Sequence, residues 1–136
     1  MTMHVFDNLL YIGTMNFEEG TSLLVSTDLN ATEFTPIFTK GNGSSENIYI
    51  WSMMDYENKL YMSTMKNTRD GAFDFFSISD SATNELTIET NSGFGSPYGG
   101  IRSMAIHDGK LMMGTADINP VSIFEAESRN MNATDL

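Results

Sequence analysis

The chain has 136 residues, 40% of them hydrophobic and 11% aromatic, which suffices for a packed core and lies outside the composition of disordered chains. With 18 acidic against 7 basic residues its formal net charge is −11, so it lacks the clustered Lys and Arg that a nucleic-acid surface or an anionic membrane would need. It has no cysteine, which excludes disulfides and Cys-based zinc or iron–sulfur sites.

The acidic residues are scattered rather than clustered, as on a soluble, self-repelling surface. The 11 methionines read as filling for irregular core space. The opening stretch Met1-Thr2-Met3-His4-Val5-Phe6-Asp7 has no basic segment followed by a long apolar one, so no signal peptide is expected in this chain. No segment approaches the ~20 apolar residues of a membrane-spanning helix, and no membrane insertion is expected.

An internal repeat organises the rest. Leu10-Tyr11-Ile12-Gly13-Thr14, Leu60-Tyr61-Met62-Ser63-Thr64 and Leu111-Met112-Met113-Gly114-Thr115 align at spacings of 50 and 51 residues. Upstream, Met3, Met53 and Met104 share one repeat position, and Thr2, Ser52 and Ser103 the one before. Downstream, Gly20 matches Gly71.

In chain order, the first repeat predicts strands over 3–6, 9–14, 22–26 and 33–38. The second predicts 51–56, 60–65 and 72–78, with a weaker fourth at 86–89. The third predicts 101–107, 110–115 and 121–124, then a polar tail from Glu125 in which no fourth strand is read. Asp7-Asn8, Glu57-Asn58 and Asp108-Gly109 sit between the first two runs of each repeat and signal tight hairpins. Apolar spacing of helical period is absent.

Four short antiparallel strands per ~45–50 residues is the pattern of a propeller blade. The expected fold is therefore all-β: a β-propeller section with blades at about 1–40, 48–90 and an incomplete 100–136. Adjacent apolar pairs such as Ile50-Trp51 and Met53-Met54 break strict alternation, as expected for a sheet buried on both faces. A propeller ring needs about four to eight blades, so closure would require a homo-oligomer or further blades of the same protein.

The residues Gly93-Phe94-Gly95, Gly100-Ile101-Arg102-Ser103-Met104-Ala105, Asp108-Gly109-Lys110-Leu111 and Gly114-Thr115-Ala116 resemble a group of prokaryotic β-propellers with repeated "GfG…giRsM…dGkLYvGTaN" units. Ser63 in place of the glycine and Met112 in place of the tyrosine depart from that pattern. The resemblance implies a propeller fold and a secreted or cell-surface setting, and it carries no activity. Ser26-Thr27-Asp28-Leu29-Asn30-Ala31-Thr32-Glu33-Phe34 resembles the Asp-box of sialidase-like propellers, with Asn30 for glycine and Phe34 for tryptophan. The second repeat has only the degenerate Ser79-Asp80-Ser81-Ala82 there. Such a box is a turn device and implies no reaction.

For sialidase-type chemistry the chain is too poor in arginine, holding only Arg69, Arg102 and Arg129. Propeller ligands usually dock where the inner strands begin, which singles out Tyr49, Trp51, Tyr98 and Arg102 as a ligand site. Aromatic faces beside a guanidinium suit sugar rings or other amphipathic ligands; packing between blades is the competing role for Trp51. No catalytic residue, metal site or cofactor is indicated. The loops at Asp70-Gly71 and Asp117-Ile118-Asn119 lack a calcium pattern, and His4 and His107 occupy different repeat positions. Gly93-Phe94-Gly95 precedes a strand, not the helix a phosphate loop requires, and Gly41-Asn42-Gly43-Ser44-Ser45 reads as a linker. The expectation is a non-catalytic binding or scaffold module. Its alternatives are part of a glycan-acting hydrolase or lyase completed by other blades, and a self-assembling structural protein.

Overall fold

In the computed structural model, which describes residues 1–67, 71–95, 99–116, 123–127 and 130–135, the chain is all-β. Twelve strands form three four-stranded antiparallel sheets, each a meander in chain order. The first sheet holds β1 (Thr2–Phe6), β2 (Leu9–Gly13), β3 (Leu23–Ser26) and β4 (Phe34–Phe38). The second holds β5 (Asn47–Tyr56), β6 (Lys59–Lys66), β7 (Phe75–Ile78) and β8 (Leu86–Thr90). The third holds β9 (Ile101–His107), β10 (Lys110–Thr115), β11 (Ile123–Glu127) and β12 (Asn130–Asp135). Residues one sequence period apart take matching places in the ladders: His4 opposes Tyr11, Met54 opposes Tyr61, and Ala105 opposes Met112.

The hairpin turns form where the sequence signals them. Asp7 and Asn8, Glu57 and Asn58, and Asp108 and Gly109 all have positive φ, between 48° and 74°, the conformation of a two-residue turn matched to strand twist. One expectation fails. The polar stretch read as a tail carries β12, which pairs with β11 through Phe124–Asp135, Glu125–Thr134 and Glu127–Asn130. An outermost strand need bury little, so it can form without an apolar pattern. The start of the middle sheet was also read too late: β5 begins at Asn47, not Trp51.

The sheets stack face to face, with the first strands β1, β5 and β9 as neighbours. Between sheets one and two lie Phe6, Tyr11, Leu23 and Val25 from one side, and Ile50, Leu60, Met62, Phe76 and Ile78 from the other. Between sheets two and three lie Tyr56, Tyr61, Phe73 and Phe75 against Ile101, Leu111, Met113 and Phe124. Leu60 and Met62 thus face one core while Tyr61 faces the other, which is why β6 and β7 read as continuous apolar runs. In β2 and β10, with one covered face, burial alternates.

Two devices recur from sheet to sheet. Thr14 N donates to Ser22 O (3.0 Å) and Thr14 Oγ1 accepts from Ser22 N (2.8 Å). Thr64 and Asp74 repeat both bonds, at 2.9 and 3.0 Å. After β4 and after β8 the chain makes a left-handed Gly-X-Gly turn: Gly41-Asn42-Gly43 and Gly93-Phe94-Gly95, with φ between 55° and 92° throughout. Gly41 N donates to Thr21 O (2.7 Å) and Gly93 N to Phe73 O (3.1 Å), so each turn is tied back to its own sheet before the next begins. Positive φ at both outer positions explains the glycines, and the segment is a built corner rather than a loose linker.

Candidate functional site at the first-strand bulges

Trp51 and Arg102 occupy the same repeat position, and the ladders treat them alike. In the second sheet Ile50 pairs with Thr64 and Ser52 with Ser63, leaving Trp51 as the extra residue of a bulge. In the third, Thr115 pairs with Ile101 and Gly114 with Ser103, leaving Arg102 extra in the same way. A bulge releases one residue from the pleat and re-aims its side chain. Here both side chains are aimed at one another: the Arg102 guanidinium carbon lies 5.7 Å from the centroid of the Trp51 ring. At this distance a cation is attracted to the ring face.

The ring is backed by the chain of the next sheet. A Cβ on Gly100 would come within 2.9 Å of Trp51 Cε3 and 2.5 Å of Thr64 O, so only glycine permits this approach. Trp51 O accepts a hydrogen bond from Thr2 Oγ1 (3.1 Å), and Ser52 Oγ donates to Ile101 O (2.7 Å). First strands are thereby stitched to one another on both sides of the tryptophan. The ring remains half-buried and Arg102 is exposed.

Tyr49, two residues before Trp51, is also half-buried, and its hydroxyl accepts a bond from the Met1 ammonium at 3.0 Å. That bond, then one with Thr2, holds its phenol below the usual range. Of the four expected ligand residues, the structure brings Trp51 and Arg102 together and places Tyr49 on the same strand as Trp51; Tyr98 lies outside the described residues. Asp70, Asp117, Ile118 and Asn119 lie outside them as well. Among the described residues no group of three or more His, Asp or Glu side chains is placed to hold a metal ion, and no helix is long and apolar enough to cross a membrane. His4 bonds Asp55 across the first junction at 2.7 Å, and His107 is exposed on β9.

Asp28 lies in the turn between β3 and β4. Its carboxylate accepts from Asn30 N (2.7 Å), Thr32 N (3.3 Å) and Thr32 Oγ1 (2.6 Å). The Thr32 hydroxyl, ahead of the backbone bonds, holds Asp28 below the usual carboxylate range. In the degenerate second copy Asp80 keeps one such bond, from Ala82 N at 2.8 Å. Every one of these bonds is spent within the loop.

One polar group was missed. Behind the Trp51 strand, Asn47, Thr64, Lys66 and Asp74 form a buried network at the corner where sheets one and two meet. Asn47 Nδ2 donates to Gly41 O (2.9 Å) and to Asp74 Oδ2 (2.7 Å), and Thr64 Oγ1 donates to Asn47 Oδ1 (3.0 Å). Asp74 Oδ1 makes no well-aligned hydrogen bond but is held by the Lys66 ammonium 3.1 Å away. The signal available was a lone charged residue inside an apolar run, Phe73-Asp74-Phe75. This network fixes the start of β5, two residues before Tyr49 and four before Trp51.

Comparison with family models, with curated proteins and with solved structures found no match to this chain.

Proposed function

We propose that the chain is a section of a β-propeller acting as a non-catalytic binding or scaffold module, with its ligand taken at the first-strand edge by Trp51 and Arg102. The observation that carries this reading is the pairing of two bulged residues into one aromatic–guanidinium platform, 5.7 Å apart. Three successive four-stranded meanders with neighbouring first strands support the propeller part. The platform joins a half-buried aromatic ring to an exposed cation, and so suits an amphipathic ring such as a carbohydrate. The resemblance to surface and secreted propellers fits such a role on an exported protein.

The test is a glycan-array screen of the wild-type chain followed by titration of any hit against Trp51→Ala and Arg102→Ala. The expected result is about tenfold or greater loss of affinity for the tryptophan variant and a smaller loss for the arginine variant, in line with one aromatic platform and one cation–π contact. A wild-type chain that binds no glycan, or a hit that both variants retain at full affinity, sinks the carbohydrate reading.

A further inference from the structure

We infer that the chain pairs with a second copy of itself head to tail, the open face of the third sheet seating on the open face of the first, with two such junctions closing the pair. This rests on the propeller reading above and adds to it the partner and the polarity of assembly.

The two filled junctions share one direction. Tyr11 of sheet one faces sheet two, against Leu60 and Met62; one period later Tyr61 faces sheet three, against Leu111 and Met113. Each sheet therefore presents a tyrosine-type face to the sheet after it and a leucine-type face to the sheet before it. On the leucine-type face four repeat positions recur: Met53, Leu60, Met62 and Phe76 in sheet two, and Met104, Leu111, Met113 and Phe124 in sheet three. In sheet one the same positions hold Met3, Leu10, Ile12 and Leu24, which adjoin one another through the pairs Met3–Ile12 and Ile12–Leu24. There they form a more open face: Met3 is 62% exposed where Met53 is 7% exposed, and Leu10, Ile12 and Leu24 are half-buried where Leu60, Met62 and Phe76 are buried. A core-type surface built twice for burial thus stands uncovered once, among the described residues.

The opposite end of the molecule carries the matching half. Sheet three presents Ser103, Ala105, Met112 and Ile123 on its tyrosine-type face, with Met112 opposite Ala105 and Gly114 opposite Ile123. Ile123 is 49% exposed. The only charged groups described there, Lys110 and Glu125, are paired with one another.

At one repeat position these two faces are chemically matched, as they are in the second junction, where Met54 and Ile106 hold it. In the first junction His4 meets Asp55. In the junction proposed here their repeat equivalents are Ala105 and Val5, so both members of the polar pair are replaced together by apolar residues. A second position carries a polar group in both cases: Tyr56 Oη donates to Gly109 O of the next hairpin turn at 2.7 Å, and His107 stands at the position of Tyr56. A head-to-tail contact closes when its rotation permits, and two copies of the three described sheets make six, within the range of about four to eight that propeller rings use.

The test is a mixing experiment by size exclusion with light scattering. The chain mass is 15.1 kDa. The wild-type chain is expected to run as a dimer. Ile12→Glu alone and Met112→Glu alone should each run as monomers, because either change spoils both junctions. An equimolar mixture of the two variants should regain dimer mass, since one junction then joins two intact faces. Circular dichroism and a denaturation midpoint guard against simple unfolding; if a glutamate variant unfolds, Ile12→Ser and Met112→Ser serve in its place. A monomeric wild-type chain, growth beyond the dimer, a single variant that stays dimeric, or a mixture that stays monomeric would each overturn the pairing. A failed mixture with an intact glycan signal removes the pairing alone, and a successful mixture with no glycan signal removes the ligand reading alone.

Discussion

The middle sheet and the first sheet are built from the same repeat, yet they live in different surroundings. In β6 and β7 nearly every side chain is buried, because one set of alternate residues meets sheet one and the other set meets sheet three. In β1 and β2 the same positions divide into a covered face led by Phe6 and Tyr11 and an open face led by Met3, Val5, Leu10 and Ile12. The repeated sequence specifies a unit with two apolar faces, while a neighbour decides whether both are used. Burial, and not strand propensity, separates the two sheets.

The contrast is sharpest at the corner network. Where the middle sheet has Asp74 and Lys66 buried together, the first sheet has Ser22 and Asn16 at the matching positions. Asp74→Ala would leave a mostly buried ammonium without its carboxylate and the Asn47 amide with Gly41 O alone, with an expected cost of about 3–5 kcal/mol. Urea denaturation measures this; a loss below about 1 kcal/mol would show that Lys66 reaches water and that the corner is not a dry site.

Smaller effects come from cutting the same repeat position in the two sheets. Met62→Ala opens a void between two sheets and should cost about 2–4 kcal/mol. Ile12→Ala, on the open face, should cost less than about 1 kcal/mol when measured in dilute solution where copies do not meet. Equal losses at the two positions would mean that the face of sheet one is covered within the monomer.

An effect of a different kind is alkaline. Tyr11 and Tyr61 are both pushed up to about 12, first by burial, then by nearby carboxylates: Asp7 and Asp80 for Tyr11, Glu89 and Glu57 for Tyr61. A folded-state value above the unfolded 10.0 means that the native chain holds these protons more tightly. Stability from this source is therefore whole below pH 10 and lost as pH rises towards about 12. Ultraviolet titration of the phenols with a parallel stability series checks it. Tyr11→Phe with Tyr61→Phe should flatten the decline, and a decline unchanged in that double variant would place its cause elsewhere.

Much of this architecture was readable in the sequence because it depends on local chemistry. Asp7-Asn8, Glu57-Asn58 and Asp108-Gly109 announce their turns through residues that tolerate positive φ, and the period of 50 to 51 residues fixes which strands correspond. Other features depend on what a segment meets, and those were hidden. The Asn130–Asp135 strand is polar and satisfies its backbone on one neighbour, so it carries no apolar pattern. Trp51 and Arg102 could be matched by position, but the bulges that aim them depend on ladder register, which the alignment does not contain. The pairing of Lys66 with Asp74 depends on how the strands fold together, which no local pattern encodes.

The middle sheet, covered on both faces, is the most strongly held part of the chain among the described residues. Native-state hydrogen exchange on the dilute chain tests it directly, residue by residue. The expected result is that the amides of β6 and β7 exchange slowest, approaching the global unfolding limit, while those of β1 and β2 open at lower free energy. Protection in β1 and β2 equal to or greater than that in β6 and β7 would contradict it.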